Sequence, residues 1–558
     1  MKQILVIFSI LILAGCADFL DRPNPENAAY DFFQKGDTEA EYVINAVYAT
    51  VQYDAFYSRF LPMLWMVRTE EGCLSPNGSK MEENFMELSN YNSSATEKYT
   101  TNLWQNIYIG IVRANFAIEQ VPGMSNVNAN LKKRILGESY FLRAFFHLHL
   151  VMNYGEAVPI KEKVSSGLSD FEQAPAEEGV LWEFIFSDLK QSQSILSELD
   201  YANTNNSYQR GRISVGAATA FLGQAYLFYA QMKNRPEYYQ RAADEFGKVI
   251  SQQVGRYGLV HNYRDNFLAD NEYNEESIFE AGYNFIGTDV WSVDGGNGAE
   301  GAWFAKNATM NSACSKEAPM WWNLAPSYTL LRQYEEDDYR KLYNFWFDGG
   351  AYYIDKEGAH VYNPAEGQPS MAFMPNPYPK GEEKDYIGFR KQGFDYNYQQ
   401  LQENIPATVT SSRYSGMTDI NYRIMRYADV LLMYAECQIH GNASGGAKSA
   451  ADCIAEIRHR ANNQLDSLTE DAFQYQYGNP ALPYFHRPGT LKDAWERTSD
   501  PSVQLQHERL MEHAGEGKRY YDVIRWYKAG LLKDIDPDSP TFFQSDRFSH
   551  IQTVQRGV

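Results

Sequence analysis

Two stretches of the chain place flat aromatic rings close to amide, acidic and basic side chains. Aromatic faces stack against the C–H sides of pyranose rings, and polar groups hydrogen-bond to sugar hydroxyls. Stretches 68–92 and 283–322 both supply this mixture of aromatic and polar side chains, which makes them candidate binding regions. The residues are Glu70, Glu71, Asn77, Lys80, Asn84 and Tyr91 in the first stretch, and Tyr283, Asn284, Asp289, Trp291, Trp303, Lys306, Asn307, Trp321 and Trp322 in the second.

The tryptophans differ in how well they suit such a site. Trp291 and Trp303 lie among Gly and Asn and are the better candidates for ligand contact. Trp321 and Trp322 begin the element 324–334, so packing and ligand contact account for them equally well. The predicted ligand contacts are Trp291, Trp303, Trp321, Trp322, Tyr283, Asn307, Lys306, Asn77 and Tyr91.

Other candidate chemistry is less well supported. His147 and His149 are two residues apart on a predicted helix and face different directions, which is poor geometry for one metal ion. Asp534, Asp536 and Asp538 alternate as in a calcium loop, but the Gly and Glu that complete such a loop are absent, which favours a solvated acidic turn. The sequence contains no HExxH, GxSxG or P-loop spacing. We predict no cofactor, and calcium, if bound, has no located site. A glycosidase needs only two carboxylates, so composition does not exclude one.

The chain of 558 residues carries a net charge of −21. An acidic excess of this size argues against a nucleic-acid partner and against adhesion to anionic lipid, because both present negative charge. If the protein is held at a membrane, something other than its charge must hold it there.

The first fifteen residues have the pattern of a bacterial lipoprotein signal. A basic Lys2 precedes the apolar run 4–13, and small residues come directly before Cys16. We predict cleavage after 1–15 and lipidation of Cys16, followed by an extended, lipidated tether at 16–30. An ordinary secretory signal with a chance cysteine, or a poorly formed membrane anchor, are the alternatives.

The sequence does not determine whether the remaining four cysteines form disulfides. Four thiols can form three different sets of disulfides, and a large domain can equally keep them as free, buried thiols. These cysteines are Cys73, Cys314, Cys437 and Cys453.

Most of the chain has the apolar periodicity of amphipathic helices. Within such patterns Trp65 and Trp104 are predicted to be core residues. In stretch 214–253, small and large residues alternate as in a tetratricopeptide helix pair, in which small residues let two helices approach closely. The predicted helices cover 38–56, 97–121, 131–154, 177–199, 429–440 and 447–462.

These patterns predict a mainly α fold, a tetratricopeptide-like helical-repeat scaffold in one domain at 31–558. The repeats cover about 37–280 and 425–530. Between them, about 281–424, the chain is rich in Gly, Asn, Pro and aromatic residues without helical period. We interpret this part as an ordered, irregular, loop-rich ligand-binding lobe.

Charged residues near the end of the chain recur at three- and four-residue spacing. This spacing predicts an ion-pair network that holds the last helices onto the repeats. The residues are Arg509, Glu512, Glu516, Arg519, Asp522 and Arg525.

Several motifs together resemble the SusD/RagB family of Bacteroidetes outer-membrane lipoproteins. The most specific of them is ERLMEHAGEGKRYYDVIRW at 508–526. The resemblance extends from Cys16 to about Trp526, while the ending FSHIQTVQRGV departs from the family pattern and suggests a truncated or shifted reading frame. The other motifs are CADFLD at 16–21, ESYFLRAFFHLHLVMNYGEAVPI at 138–160, GR at 211–212, ESIF at 276–279 and MRYADVLLMYAE at 425–436.

The resemblance implies a protein that is lipid-anchored in the outer membrane and faces the cell exterior. It implies a non-catalytic binder that captures a glycan, or a peptide, for a TonB-dependent SusC-like transporter. A structural lid of that transporter, with weak ligand binding, is the alternative reading, and an enzyme acting on glycans is a third.

Overall fold

Antiparallel helices make up most of the part of the chain that the structure describes. The computed structural model describes residues 36–74, 83–94, 96–163, 173–199, 211–283, 323–331, 333–335, 338, 340–347, 353–354, 360–361, 387–389, 391, 420–463, 491 and 498–533. The predicted signal, Cys16, the tether and the acidic turn at 534–538 lie outside these residues. The mainly α fold class is confirmed.

The N-terminal half contains helices that pack against their neighbours in chain order. In chain order the elements are α1 (Asp37–Val51), α2 (Phe60–Met66), β1 (Gly72–Leu74), α3 (Glu83–Ser89), α4 (Lys98–Gln120), α5 (Ala129–Tyr154), α6 (Val180–Ser197), α7 (Val215–Met232) and α8 (Glu237–Ile250). Helices α1, α4, α6 and α8 each bury one apolar side, whereas α5 and α7 are buried around most of their circumference.

The predicted first helix is interrupted. Regular α-helix ends with α1, and the chain then forms a separate π-helical turn, Asp54–Ser58, with non-helical backbone at Phe56. Phe56 is fully buried against the rings of Phe145 and Phe146. Periodicity alone could not show the interruption, because the apolar residues continue through it.

Short strands and a second set of helices complete the fold. The elements are β2 (Ser277–Ala281), β3 (Leu324–Pro326), α9 (Tyr328–Leu331), α10 (Arg340–Asn344), β4 (Phe345–Phe347), β5 (Tyr353–Ile354), β6 (His360–Val361), β7 (Ile387–Phe389), β8 (Tyr422–Arg426), α11 (Tyr427–Gly441), α12 (Ala450–Asn463), α13 (Pro501–His513) and α14 (Arg519–Lys528). The strands pair antiparallel as β1 with β3, β2 with β8, β4 with β7 and β5 with β6. Much of the predicted lobe lies outside the described residues.

The predicted helix pair at 214–253 is confirmed as α7 and α8. Gly223 on α7 faces Phe246 on α8, and a Cβ atom at Gly223 would lie 2.7 Å from the Phe246 ring. The small residue thus lets the helices approach, as the sequence pattern predicts. α8 in turn packs on α11, and α11 on α12, so the second predicted pair extends the same array.

Two tryptophans that were assigned to the core have different environments. Trp65 is 3% exposed, so its core assignment is confirmed. Trp104 is only half-buried and packs at the edge of the fold against Tyr108 and Tyr154. Trp104 packs against the outside of the hydrophobic core, so part of its indole ring stays accessible to solvent.

Two of the cysteines are free thiols, Cys437 and Cys453, and both are buried. Burial raises the pKa of the Cys453 thiol to about 12. The Sγ atom of Cys73 lies 3.8 Å from the carbonyl oxygen of Pro326, while Cys314 lies outside the described residues. No helix within the described ranges has the length and apolar character needed to cross a bilayer.

We expect Gly223→Ala to lower the free energy of unfolding, because the added methyl group would clash with Phe246. The matched control is Gly247→Ala in α8, where the nearest atom to an added Cβ lies 3.9 Å away. Alanine is favoured over glycine in a helix by about 1 kcal/mol, so the control should be neutral or stabilised. Denaturant titration of both variants checks this. Equal effects of the two substitutions would contradict the close-approach interpretation.

Candidate functional site

The first predicted ligand-binding stretch, 68–92, contains β1, which pairs with β3. Leu74 lies opposite Leu324, and Gly72 opposite Pro326. Beyond the pair, the backbone N–H of Ser327 donates to the carbonyl oxygen of Glu71 at 3.2 Å. β3 begins two residues after the second stretch, 283–322, ends in the sequence. The pairing therefore joins the first stretch to the segment that directly follows the second.

Tyr91 is half-buried at the end of the first stretch. Its backbone has a positive φ of 55°, and its hydroxyl donates to the carbonyl oxygen of Arg68. This bond joins residues 68 and 91, so the first stretch is closed into a loop. The predicted ligand residues outside the described part are Trp291, Trp303, Trp321, Trp322, Lys306, Asn307 and Asn77, and their roles stay predictions.

Tyr283 lies in the hydrophobic core with 7% of its surface exposed. Its backbone N–H donates to Asn421 Oδ1 at 2.8 Å, and burial raises the pKa of its hydroxyl well above the ordinary value. An enclosed ring cannot stack on a ligand that approaches from solvent. Its position at the end of β2 thus favours packing over the ligand contact that the sequence predicts.

Glu70 and Glu71 have a different role from the one their position suggests. Glu70 accepts a hydrogen bond from Arg519 Nε at 2.6 Å. Glu71 Oε1 accepts from the backbone N–H of Gly515 at 2.6 Å, and burial raises the Glu71 pKa to about 8. Both side chains are buried and hold the C-terminal turn instead of facing a ligand. Their partners lie more than 400 residues away in the chain, so no local pattern could reveal the contact.

Arg68, four residues before β1, forms a half-exposed polar group with Tyr520, and the sequence did not predict this contact. The Arg68 guanidinium lies 4.1 Å from the centre of the Tyr520 ring, and Arg68 Nη1 donates to the Tyr520 hydroxyl at 3.0 Å. Tyr91 adjoins them through its bond to the Arg68 carbonyl. Aromatic rings with a guanidinium group are suited to neutral polyhydroxylated ligands.

A buried ion-pair network forms around Arg426, Glu512 and Arg340. Arg426 Nη1 donates to Glu512 Oε1 at 2.9 Å, and Arg426 Nη2 to Glu516 Oε1 at 2.7 Å. Arg340 Nη1 donates to Glu508 at 2.6 Å and to Glu512 at 3.1 Å. All five side chains are fully buried. The network thus connects β8, α10 and α13.

The six charged residues near the end of the chain form the predicted network. Arg509 binds Asp522 through two bonds of 2.8 and 3.0 Å, and Arg525 Nη2 donates to Glu436 at 2.8 Å. Burial opposes ionisation of Glu512, but nearby guanidinium groups outweigh it and hold the Glu512 pKa below its ordinary value. The prediction that these residues hold the last helices onto the repeats is confirmed.

The two histidines of α5 are buried. Burial lowers the pKa of both to about 3, so both are neutral. His147 Nδ1 lies 2.8 Å from the Arg143 carbonyl oxygen, and His149 lies between Tyr57 and Tyr521. Within the described ranges no group of His, Cys, Asp and Glu side chains could hold a metal ion.

Comparison with known proteins gives matches along nearly the whole chain. The family model described as the SusD family matches residues 230–548, and one described as starch-binding associating with outer membrane matches residues 18–227. SusD-like protein P2 of Formosa agariphila is 24% identical over 94% of this chain and 91% of its own length. A SusD-like protein of Bacteroides ovatus is 22% identical over 94% of this chain and 82% of its own length.

Solved structures share the fold. A SusD homologue of Bacteroides thetaiotaomicron has a TM-score of 0.63 at 22% identity, covering 88% of this chain and 86% of its own. Surface glycan-binding protein A of the same species, in complex with laminarihexaose, has a TM-score of 0.61 at 18% identity, covering 89% of this chain and 92% of its own.

We expect Glu71→Gln to flatten the pH dependence of stability. With a pKa of about 8, folded Glu71 keeps a proton that the unfolded chain releases above about pH 4.5. Stability therefore falls as pH rises between these values, by about 1.4 kcal/mol per pH unit from this group. Burial also raises the pKa of Glu138 to about 7, so the stability of the variant should still decline with pH, but less steeply.

Denaturant titrations from pH 5 to pH 8 measure this effect. The matched control is Glu198→Gln, since Glu198 is exposed and pairs with Lys133 at the surface. The control should keep the wild-type slope. An unchanged slope in Glu71→Gln would show that Glu71 is ionised in the folded state.

Proposed function

The chain belongs to the SusD family, and from this premise we propose that it is a cell-surface lipoprotein that binds glycan without catalysis. We further propose that it delivers the glycan to a TonB-dependent SusC-like transporter. The observation that carries the proposal is the β1–β3 pair, which joins the first aromatic-rich stretch to the segment directly after the second. A binding site assembled from distant stretches needs such a junction.

The chemistry next to this junction supports a glycan ligand. Arg68 and Tyr520 present a guanidinium group on an aromatic ring, and both are half-exposed. Trp291 and Trp303 are the tryptophans that we propose to stack on pyranose rings. The relative that is a surface glycan-binding protein in complex with laminarihexaose shares the fold, which supports a β-glucan as one ligand to test.

The proposed location follows from the N-terminal sequence and from charge. Lipidation at Cys16 would attach the protein to the outer membrane, with the body facing the exterior. A net charge of −21 gives no attraction to anionic lipid, so the acyl chains must supply the attachment. The family model that matches residues 18–227 is described as associating with the outer membrane, which supports this location.

We expect at least one polysaccharide or oligosaccharide in a calorimetric panel that includes laminarihexaose to bind the purified protein. Trp303→Ala should weaken binding about tenfold or more, which corresponds to about 1.4 kcal/mol of lost stacking. The matched control is Tyr42→Ala, because Tyr42 is 52% exposed on α1 and outside the proposed site. No reducing ends should appear during incubation.

Two results would overturn this prediction. Silence across the panel, with capture of a SusC-like partner in a pull-down, would favour the structural-lid function instead. Release of reducing ends would favour an enzyme.

We expect Cys16→Ala to move the protein out of the membrane fraction while leaving the affinity of the purified body unchanged. Fractionation of cells that express each form measures this. If the variant stays in the membrane fraction, an attachment other than the lipid must exist.

A further inference from the structure

A cavity of about 50 Å³ lies between the repeat helices and the last two helices. α5 and α7 form one side, and β8, α13 and α14 form the other. One part of its wall is aromatic, with Trp65, Phe145 and Phe228, while the other part carries Gln224, Arg509 and Lys518. A cavity with a wholly apolar wall stays empty, but one with polar groups in its wall takes up water.

His149 contacts two tyrosine hydroxyls, and one of their hydrogens is not used in these contacts. His149 Nε2 lies 3.1 Å from the Tyr57 hydroxyl, and His149 Nδ1 lies 3.0 Å from the Tyr521 hydroxyl. A neutral imidazole and two hydroxyls carry three polar hydrogens, but the two contacts use only two of them. Whichever tautomer forms, one tyrosine hydrogen needs an acceptor elsewhere.

The third neighbour of this group does not supply that acceptor. Asn153 Nδ2 donates to the Tyr521 hydroxyl at 3.0 Å, so it adds a hydrogen instead of accepting one. Tyr57, His149 and Tyr521 all line the cavity. An acceptor located in the cavity would satisfy the remaining hydrogen.

Two further polar groups face the same space. Arg509 is 4% exposed, and its Nη1 atom has no hydrogen-bond partner among the described residues, although Nε and Nη2 both bind Asp522. Gln224 keeps a partly accessible side chain between buried neighbours on α7, and its amide makes no hydrogen bond to the described residues. A buried donor without a hydrogen-bond partner is unfavourable, so occupation by an acceptor is favoured.

The charges around the cavity are already balanced. Asp522 binds Arg509 and Arg525, while Lys518 binds both Asp429 and Glu516. A bound ion would add a charge without a partner in a buried site, which is costly. The occupant must therefore be neutral, offer oxygen acceptors, and fit about 50 Å³, which is too small for a sugar ring.

We propose that this cavity is a binding site for a cluster of ordered water molecules that joins Gln224 of the repeat to Arg509 and the Tyr57–His149–Tyr521 group. One water molecule needs about 10–15 Å³, so the cavity has room for more than one. The water adds to the polar contacts that His149 and Asn153 of the repeat already make with Tyr521 of α14.

A high-resolution crystal structure of the full chain tests the proposal directly. Ordered water should lie within hydrogen-bonding distance of Arg509 Nη1, of the Gln224 amide and of one tyrosine hydroxyl. Crystals pressurised with xenon should show no xenon there, because xenon enters dry, apolar cavities. Xenon in the cavity, or an absence of ordered water, would overturn the proposal.

A variant gives an independent measurement. Gln224→Leu removes one partner of the water cluster, and we expect a lower thermal midpoint and the loss of at least one cavity water. The matched control, Gln105→Leu, changes an exposed residue on α4 and should leave the midpoint unchanged. A Gln224→Leu midpoint equal to or above that of the wild type would contradict the proposal. If the variant does not fold, the wild-type crystals alone decide.

Discussion

The buried ion pairs around Arg426 and Glu512 are the constraint on which the rest of this fold depends. Desolvating each charge costs several kcal/mol, and only complete pairing compensates for that cost. Arg426 comes from β8, Glu512 from α13 and Arg340 from α10, while Arg460 of α12 joins them through Glu276. Each of these elements must therefore be in place before the others can be buried. The network makes the arrangement of the elements specific more than it adds net stability.

The same network connects the body of the protein to the part of the chain that is predicted to bind ligand. Lys391, which lies between β7 and β8, donates to Glu516 at 2.6 Å and to the carbonyl oxygens of Glu512 and Ala514. Glu71, next to β1, accepts from the following residue, Gly515. The C-terminal turn is thus held from both sides, and β1 is fixed relative to the last helices. The proposed water cluster lies next to this network, because Glu516 and Lys518 line the same cavity as Gln224 of the repeat.

Helical periodicity and the placement of small residues account for what the sequence could predict. The α7–α8 pair follows from Gly223 opposite Phe246, and the charged run at 508–526 follows from three- and four-residue spacing, which places those side chains along two buried helix faces. These signals are local in the chain. Glu71 pairs with a residue 444 positions away, and the backbone of Tyr283 bonds to Asn421, 138 positions away. Such contacts depend on the tertiary arrangement, so composition pointed to ligand contact where the structure shows packing.

The distinction between packing and binding residues has a physical basis in this protein. A side chain that holds a buried charge, as Glu70 holds Arg519, cannot leave it for a ligand without exposing an unpaired guanidinium. In the proposed function, ligand contacts are therefore expected from side chains outside the network, such as Arg68 and Tyr520. The buried charges and the proposed binding residues thus belong to separate sets of side chains. This separation lets one fold present different binding surfaces without loss of its buried ion pairs.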